Sequence, residues 1–234
     1  MSDVPKPLLF TYRRCPYAMR ARMALLIARI PFHAFEISLR EKPAEMLALS
    51  PKGTVPILQL PDGCVIDQSW DIVRWALESN DQAGWWSRSQ TRQNVELLDC
   101  NDGRFKLHLD RYKYPERFKQ TQPDLDKKVN REHAIKALLL PLEDRLAQQG
   151  FLGGDAPCAA DIGIFPFVRQ FAAVEPDWFA QQPLPALRAW LVQWMSSALF
   201  AACMAKLPVR EISAFPVQAG AGTKVLASSA ASVN

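Results

Sequence analysis

Between Pro7 and Asn80 the hydrophobic positions change period several times. Leu8–Tyr12 (LLFTY) is a short apolar, β-rich run. From Pro16 to Arg29 the apolar residues Met19, Met23, Leu26 and Ile27 recur at helical spacing. Pro31 ends that helix, and FHAFEISL alternates as a second strand. KPAEMLAL, with Pro43 near its first turn, predicts a short helix. VPILQL and CVI, separated by PDG, predict a hairpin, and SWDIVRWALES is amphipathic with helical period. The order βαβαββα joins a βαβ unit to a ββα unit, which gives a mixed sheet with helices packed against it.

The pattern then changes. From about Gly84 to Leu207 no segment reads as a strand, and helical patterns are interrupted by YKYPERF, QQGFLGGDAP and EPDWFAQQPLP. The chain therefore divides into an α/β domain over residues 1–80, a linker at 81–86 and an all-α domain over 87–210. Residues 211–234 are rich in small residues and lack an apolar period, which predicts a weakly ordered tail.

Composition narrows the function classes. A formal charge of +4 over 234 residues, with acids interspersed among the bases, is not the footprint of a nucleic-acid binder. No apolar stretch approaches the roughly 20 residues that span a bilayer. MSDVPKPLLF has no charged lead followed by an apolar run, so no secretory signal is expected. Cys15, Cys64, Cys100, Cys158 and Cys203 are odd in number and scattered, which argues against a disulfide framework and for a reducing, cytoplasmic setting. The absence of C-x-x-C and the wide separation of His33, His108 and His133 predict no metal site.

The candidate chemistry lies in TYRRCPYAMRAR. Cys15 falls where the first strand ends and the first helix begins, with Pro16 suited to the first helical position. A thiol there faces unpaired backbone N–H groups and the positive end of the helix dipole, and Arg13, Arg14 and Arg20 can add positive potential. Such surroundings favour the thiolate, which is the nucleophile. A buried structural cysteine fits the local sequence as well.

CPYA on a strand-to-helix turn, followed by KGTVPIL and by DQS before a helix, resembles the glutathione S-transferase superfamily, closest to its cysteine-type, omega-like and glutaredoxin-related members. The resemblance covers nearly the whole chain and implies a thioredoxin-like N-terminal domain followed by a helical one. It implies that glutathione is the co-substrate and that Cys15 is the catalytic cysteine facing its sulfur. It places Tyr17 within the glutathione site. It implies a cis bond between Val55 and Pro56, with the Val55 backbone pairing with the cysteinyl part of glutathione. Gln68 and Ser69 match the pair that holds the γ-glutamyl end, although Gln68 stands where Glu is commoner and lacks its charge. Ser69 is also expected as a helix N-cap. Lys42 matches a lysine aimed at the glycine carboxylate. Ala18 stands where dithiol relatives carry a second cysteine, which implies a monothiol mechanism.

The resemblance also assigns FLGGDAPCAADIGIFPFVRQF to folding: Asp161 fills the acidic position of a helix cap, and Cys158 replaces the usual hydroxyl residue. Tyr112 and Tyr114, in FKLHLDRYKYPERF, are candidates for the second-substrate cleft or for helix packing. A homodimer acting on a small or glutathionylated second substrate is expected by resemblance. A binding module without turnover, and a conjugating or isomerising transferase, are the alternatives.

Overall fold

The structure is a computed structural model, and it describes residues 5–122 and 126–216. The chain forms two compact units. The first contains the chain up to Ile72 and, of the described residues, those from Gln193 onward; the second is Val73–Val192.

The first unit opens with β1 (Leu8–Thr11), α1 (Pro16–Ile27), β2 (His33–Glu36) and α2 (Ala44–Leu49). It continues with β3 (Ile57–Gln59), β4 (Val65–Ile66) and the start of α3 (Ser69–Ser79). β1 and β2 run parallel, which requires the crossover that α1 supplies. β3 pairs antiparallel with β1, setting Phe10 opposite Ile57, and β4 closes the hairpin with β3. The βαβαββα order predicted from the sequence is therefore present. The inward faces of these elements meet in a cluster of Phe10, Ile37, Met46 and Ile57, with Tyr12 and Val55 packed against it.

α1 departs from a simple amphipathic helix. Every residue from Pro16 to Leu25 except Tyr17 is buried, and Leu26 and Ile27 are only partly so. The buried set includes Arg20, 0% exposed, and Arg22, 1% exposed. Small residues at Ala18, Ala21 and Ala24 leave room for close packing on several sides at once.

The C-terminal residues differ from the expected tail. α12 (Ala198–Cys203) belongs to the first unit, and β5 (Ile212–Ala214) pairs antiparallel with β2, giving the strand order β4-β3-β1-β2-β5. Phe215 stacks on Phe32 at 4.7 Å between ring centroids. A three-residue strand carries no usable period of its own, and what places it is pairing with a strand formed far earlier in the chain. Residues 217–234 of the expected tail lie outside the described residues. The division into the two compact units falls inside α3, between Ile72 and Val73.

The second unit is helical. α4 (Trp85–Ser89) precedes α5 (Arg92–Cys100), which passes through a π-helical turn at Asn101–Phe105 into α6 (Lys106–Lys113). α7 (Lys127–Ala134) passes through a second π-helical turn at Ile135–Leu139 into α8 (Leu140–Leu146). Carbonyls released by such a turn need other donors, and the Cys100 thiol donates to the Ala137 carbonyl at 3.0 Å. α9 (Ala159–Ala172) is buried on nearly every side and is followed by α10 (Pro176–Ala180) and α11 (Pro185–Met195), the last of which ends in the first unit.

Asp161 anchors the start of α9. Its carboxylate accepts the backbone N–H of Cys158 at 2.9 Å, the N–H of Leu152 at 3.1 Å and the Trp190 indole N–H at 2.8 Å. Burial pushes its pKa up, against the three N–H donors. A second polar cluster holds Glu175: Tyr112 donates from its hydroxyl at 2.8 Å, Lys127 at 2.8 Å and Arg131 at 2.9 Å. Arg131 also lies over the Trp178 ring, 3.8 Å from its centroid. Tyr112, 1% exposed, is thus a packing residue. No helix of the described residues is long and apolar enough to cross a membrane.

Candidate glutathione site

Antiparallel pairing of β1 with β3 brings the end of β1 beside the segment that enters β3. Cys15 and Val55 meet there, 40 residues apart in sequence, with the thiol sulfur 3.7 Å from the Val55 carbonyl oxygen. The Val55–Pro56 peptide is cis. Beyond that contact the Val55 backbone makes no hydrogen bond among the described residues, so its N–H is available to an extended ligand.

Cys15 is the N-cap of α1, in extended conformation (φ −74°, ψ 122°), and Pro16 occupies the first helical position. The N–H of Cys15 donates back to the Tyr12 carbonyl at 3.0 Å, which closes the turn between β1 and α1. No acidic residue stands in the first turn of α1. The half-buried thiol therefore sits at the positive end of a 12-residue helix dipole.

Ser69 reaches the same end of the sheet from α3. Its expected place as N-cap belongs instead to Gln68, whose carbonyl accepts the first helical bond, from Ile72 at 3.0 Å; Ser69 is the first helical residue. Its hydroxyl accepts a hydrogen bond from Arg20 Nη1 at 3.4 Å. Because a guanidinium can only donate, the Ser69 hydroxyl proton is left to donate elsewhere. The Arg20 guanidinium also lies 5.4 Å from the Tyr17 ring centroid and 5.9 Å from that of Trp70. Arg20 thereby links Ser69 and Trp70 of α3 to Tyr17 of α1.

Gln68 is exposed, next to this cluster. Asp67 does not supply the charge Gln68 lacks. It accepts from Ser50 at 2.7 Å and Lys52 at 3.0 Å, and these two, Ser50 first, hold its carboxyl below the usual range. Lys42 is exposed and its side chain crosses the backbone before Val55: a Cβ on Gly53 would stand 3.4 Å from Lys42 Nζ and 3.1 Å from Leu47 Cδ2. Gly53 itself sits at φ +59°, a conformation glycine adopts without penalty. The residues selected from the sequence thus line one end of the first unit. Arg20 and Arg22 are the buried arginines the pattern understated; the signal was two charges inside an otherwise apolar helix segment, AMRARMALL.

Among the described residues no group of His, Cys, Asp and Glu is placed to hold a metal ion.

The chain is similar to known proteins. A family model described as "Glutathione S-transferase, N-terminal domain" matches residues 14–79, and one described as "Glutathione S-transferase, C-terminal domain" matches residues 131–192, together more than half of the chain. Pyrimidodiazepine synthase of Drosophila melanogaster is 38% identical over 63 residues, a match covering 26% of this chain and 26% of that enzyme. Maleylacetoacetate isomerase of Pseudomonas aeruginosa is 27% identical over 194 residues, covering 77% and 87% of the two chains. Among solved structures, a glutathione transferase of Phanerochaete chrysosporium in complex with oxidized glutathione superposes with a TM-score of 0.71 at 18% identity, covering 87% of this chain and 96% of that one. With the N-terminal match beginning one residue before Cys15 and ending at the last residue of α3, and the C-terminal match spanning the Asp161 cap, the chain belongs to the glutathione S-transferase superfamily.

Proposed function

We propose that the protein is a glutathione-dependent thiol transferase in which Cys15 is the nucleophile. The observation that carries this reading is the Cys15 thiol at the start of α1, 3.7 Å from the Val55 carbonyl, beside a Val55 N–H free to pair with a peptide. Glutathione would lie along Val55 as an added strand, its γ-glutamyl carboxylate at Ser69 and the α3 N-terminus, its glycine carboxylate toward Lys42, with Tyr17 beside it. The Cys15 thiolate attacks the glutathione sulfur of a mixed disulfide, forming Cys15–S–SG and releasing the partner thiolate, which takes up a proton. A second glutathione thiolate then attacks the glutathionyl sulfur, giving glutathione disulfide and regenerating the Cys15 thiolate. Ala18, one helical turn on, offers no second thiol to compete with that step. A homodimer belongs to the same proposal and is checked by light scattering.

Intact mass spectrometry after exposure to glutathione disulfide tests the reading. A single glutathionyl adduct mapping to Cys15, removed by added glutathione, supports it; an adduct only on other cysteines overturns it. The match to maleylacetoacetate isomerase over 77% of the chain favours isomerisation as a second reading. Glutathione-dependent turnover of an electrophilic substrate that survives Cys15→Ala would support that one.

A further inference from the structure

Arg22 lies two helical turns beyond Cys15 and is 1% exposed. A buried guanidinium is costly unless its donors are satisfied. Here they are satisfied chiefly by main-chain oxygens. Nη2 donates to the Arg13 carbonyl at 2.7 Å, and Nη1 donates to the Tyr12 carbonyl at 3.3 Å and to the Thr11 hydroxyl. Nε donates to the Cys203 carbonyl at 2.9 Å, in the last turn of α12. Three consecutive residues, Thr11 to Arg13, are therefore gripped from α1 by one planar group. They are the residues that lead into the nucleophile, and the Tyr12 carbonyl also takes the Cys15 N–H.

The geometry points to Arg22 as a positioning residue for Cys15: it staples the turn before the thiol to the helix that follows it and to α12, fixing the sulfur at the helix N-terminus. The role depends on the fork. Lysine would supply one point charge and could not hold acceptors on two sides. The other charged or titratable groups around the turn are Tyr12, Arg13 and Arg14 within it, Tyr17 and Arg20 on α1, Glu36 on β2 and Cys203 on α12. Glu36 accepts the Arg13 N–H at 2.6 Å. None of them is altered in the variants below.

The inference rests on Cys15 being the reactive thiol, and its test needs no glutathione. The pH dependence of Cys15 alkylation by iodoacetamide, located by peptide mass spectrometry, is compared in the full chain, Arg22→Met and Thr11→Val. Arg22→Met keeps the apolar stem and removes the fork; its alkylation midpoint is expected to rise by about one pH unit. Thr11→Val removes one acceptor at equal volume and is expected to shift the midpoint less, in the same direction. An unshifted midpoint in an Arg22→Met protein with wild-type circular dichroism overturns the assignment; if that variant does not fold, an unshifted Thr11→Val overturns it. A shifted midpoint in the variants, with no glutathione exchange by the wild type, leaves the assignment standing and removes the proposed function.

Discussion

The sulfur of Cys15 lies 3.7 Å from the carbonyl oxygen of Val55, a contact made by the turn after β1 and the cis-proline segment before β3. In the proposed function the backbone that would grip glutathione and the thiol that would react with it are thereby adjacent. Removing the second should spare the first. Cys15→Ser is expected to reduce thiol exchange with glutathione disulfide to background while glutathione still binds. A coupled exchange assay and calorimetric titration check the two halves; exchange at wild-type rate would sink the mechanism.

Ser69 is 6% exposed, with its hydroxyl accepting from Arg20 and its proton left for a ligand. A hydrogen bond to a charged group contributes about 1.5–3 kcal/mol. Ser69→Ala should therefore weaken glutathione binding by roughly 10- to 100-fold. The effect should vanish for a glutathione analogue lacking the γ-glutamyl α-carboxylate. An equal loss for both ligands would count against the assignment.

Gln68 is exposed at the N-cap of α3, and Asp67 is engaged by Ser50 and Lys52. Gln68→Glu supplies a carboxylate for the substrate ammonium. An exposed ion pair contributes about 0–1 kcal/mol, so glutathione should bind up to roughly five-fold tighter. The gain should fade in high salt. Titrations at two salt concentrations measure it, and weaker binding at both would refute the placement.

Much of this site was readable before the structure. CPYA, VP and QS each mark a turn at the start of a helix or strand, and the strand order puts those starts at one end of a sheet. The helix SWDIVRWALES begins and ends at the expected residues, Ser69 and Ser79. The arginines were less legible. In sequence Arg20 reads as a source of positive potential beside Cys15 and Arg22 is not singled out; both lie inside, in a helix whose Ala18, Ala21 and Ala24 are also buried. Two of their partners, Ser69 and the Cys203 carbonyl, lie 49 and 181 residues away, beyond any local pattern.

In the helical unit Asp161 satisfies the N–H groups of Leu152 and Cys158 and the Trp190 indole. Asp161→Ala strands three donors, each costing about 1–3 kcal/mol when buried, so a loss of about 3 kcal/mol or more is expected. Chemical denaturation monitored by tryptophan fluorescence reads it. Asp161→Asn, which keeps an acceptor, should lose less.

Glu175 is held by Lys127, Tyr112 and Arg131, which bring its pKa from the ordinary 4.5 down to about 2. A carboxylate depressed on folding stabilises above its unfolded value, and the contribution is lost as pH falls through the folded one. Wild-type protein should melt above Glu175→Gln at pH 6, and the difference should close between about pH 4.5 and 2. A gap that stays constant across that range would exclude the linkage.

β5 has a consequence for how the protein is made. The four strands β1 to β4 are synthesised within the first third of the chain, yet among the described residues the edge of β2 is covered by Val209, Arg210 and Ile212–Ala214, after every helix described here has been translated. The sheet that leads into Cys15 is thus finished last, and until then β2 presents an unpaired row of amides to its neighbours. A nascent chain stalled after α11 would lack both that strand and the α12 carbonyl that Arg22 grips. Such a product should be the species most prone to clump in the cell, with its helical half already folded and its sheet still open along one side.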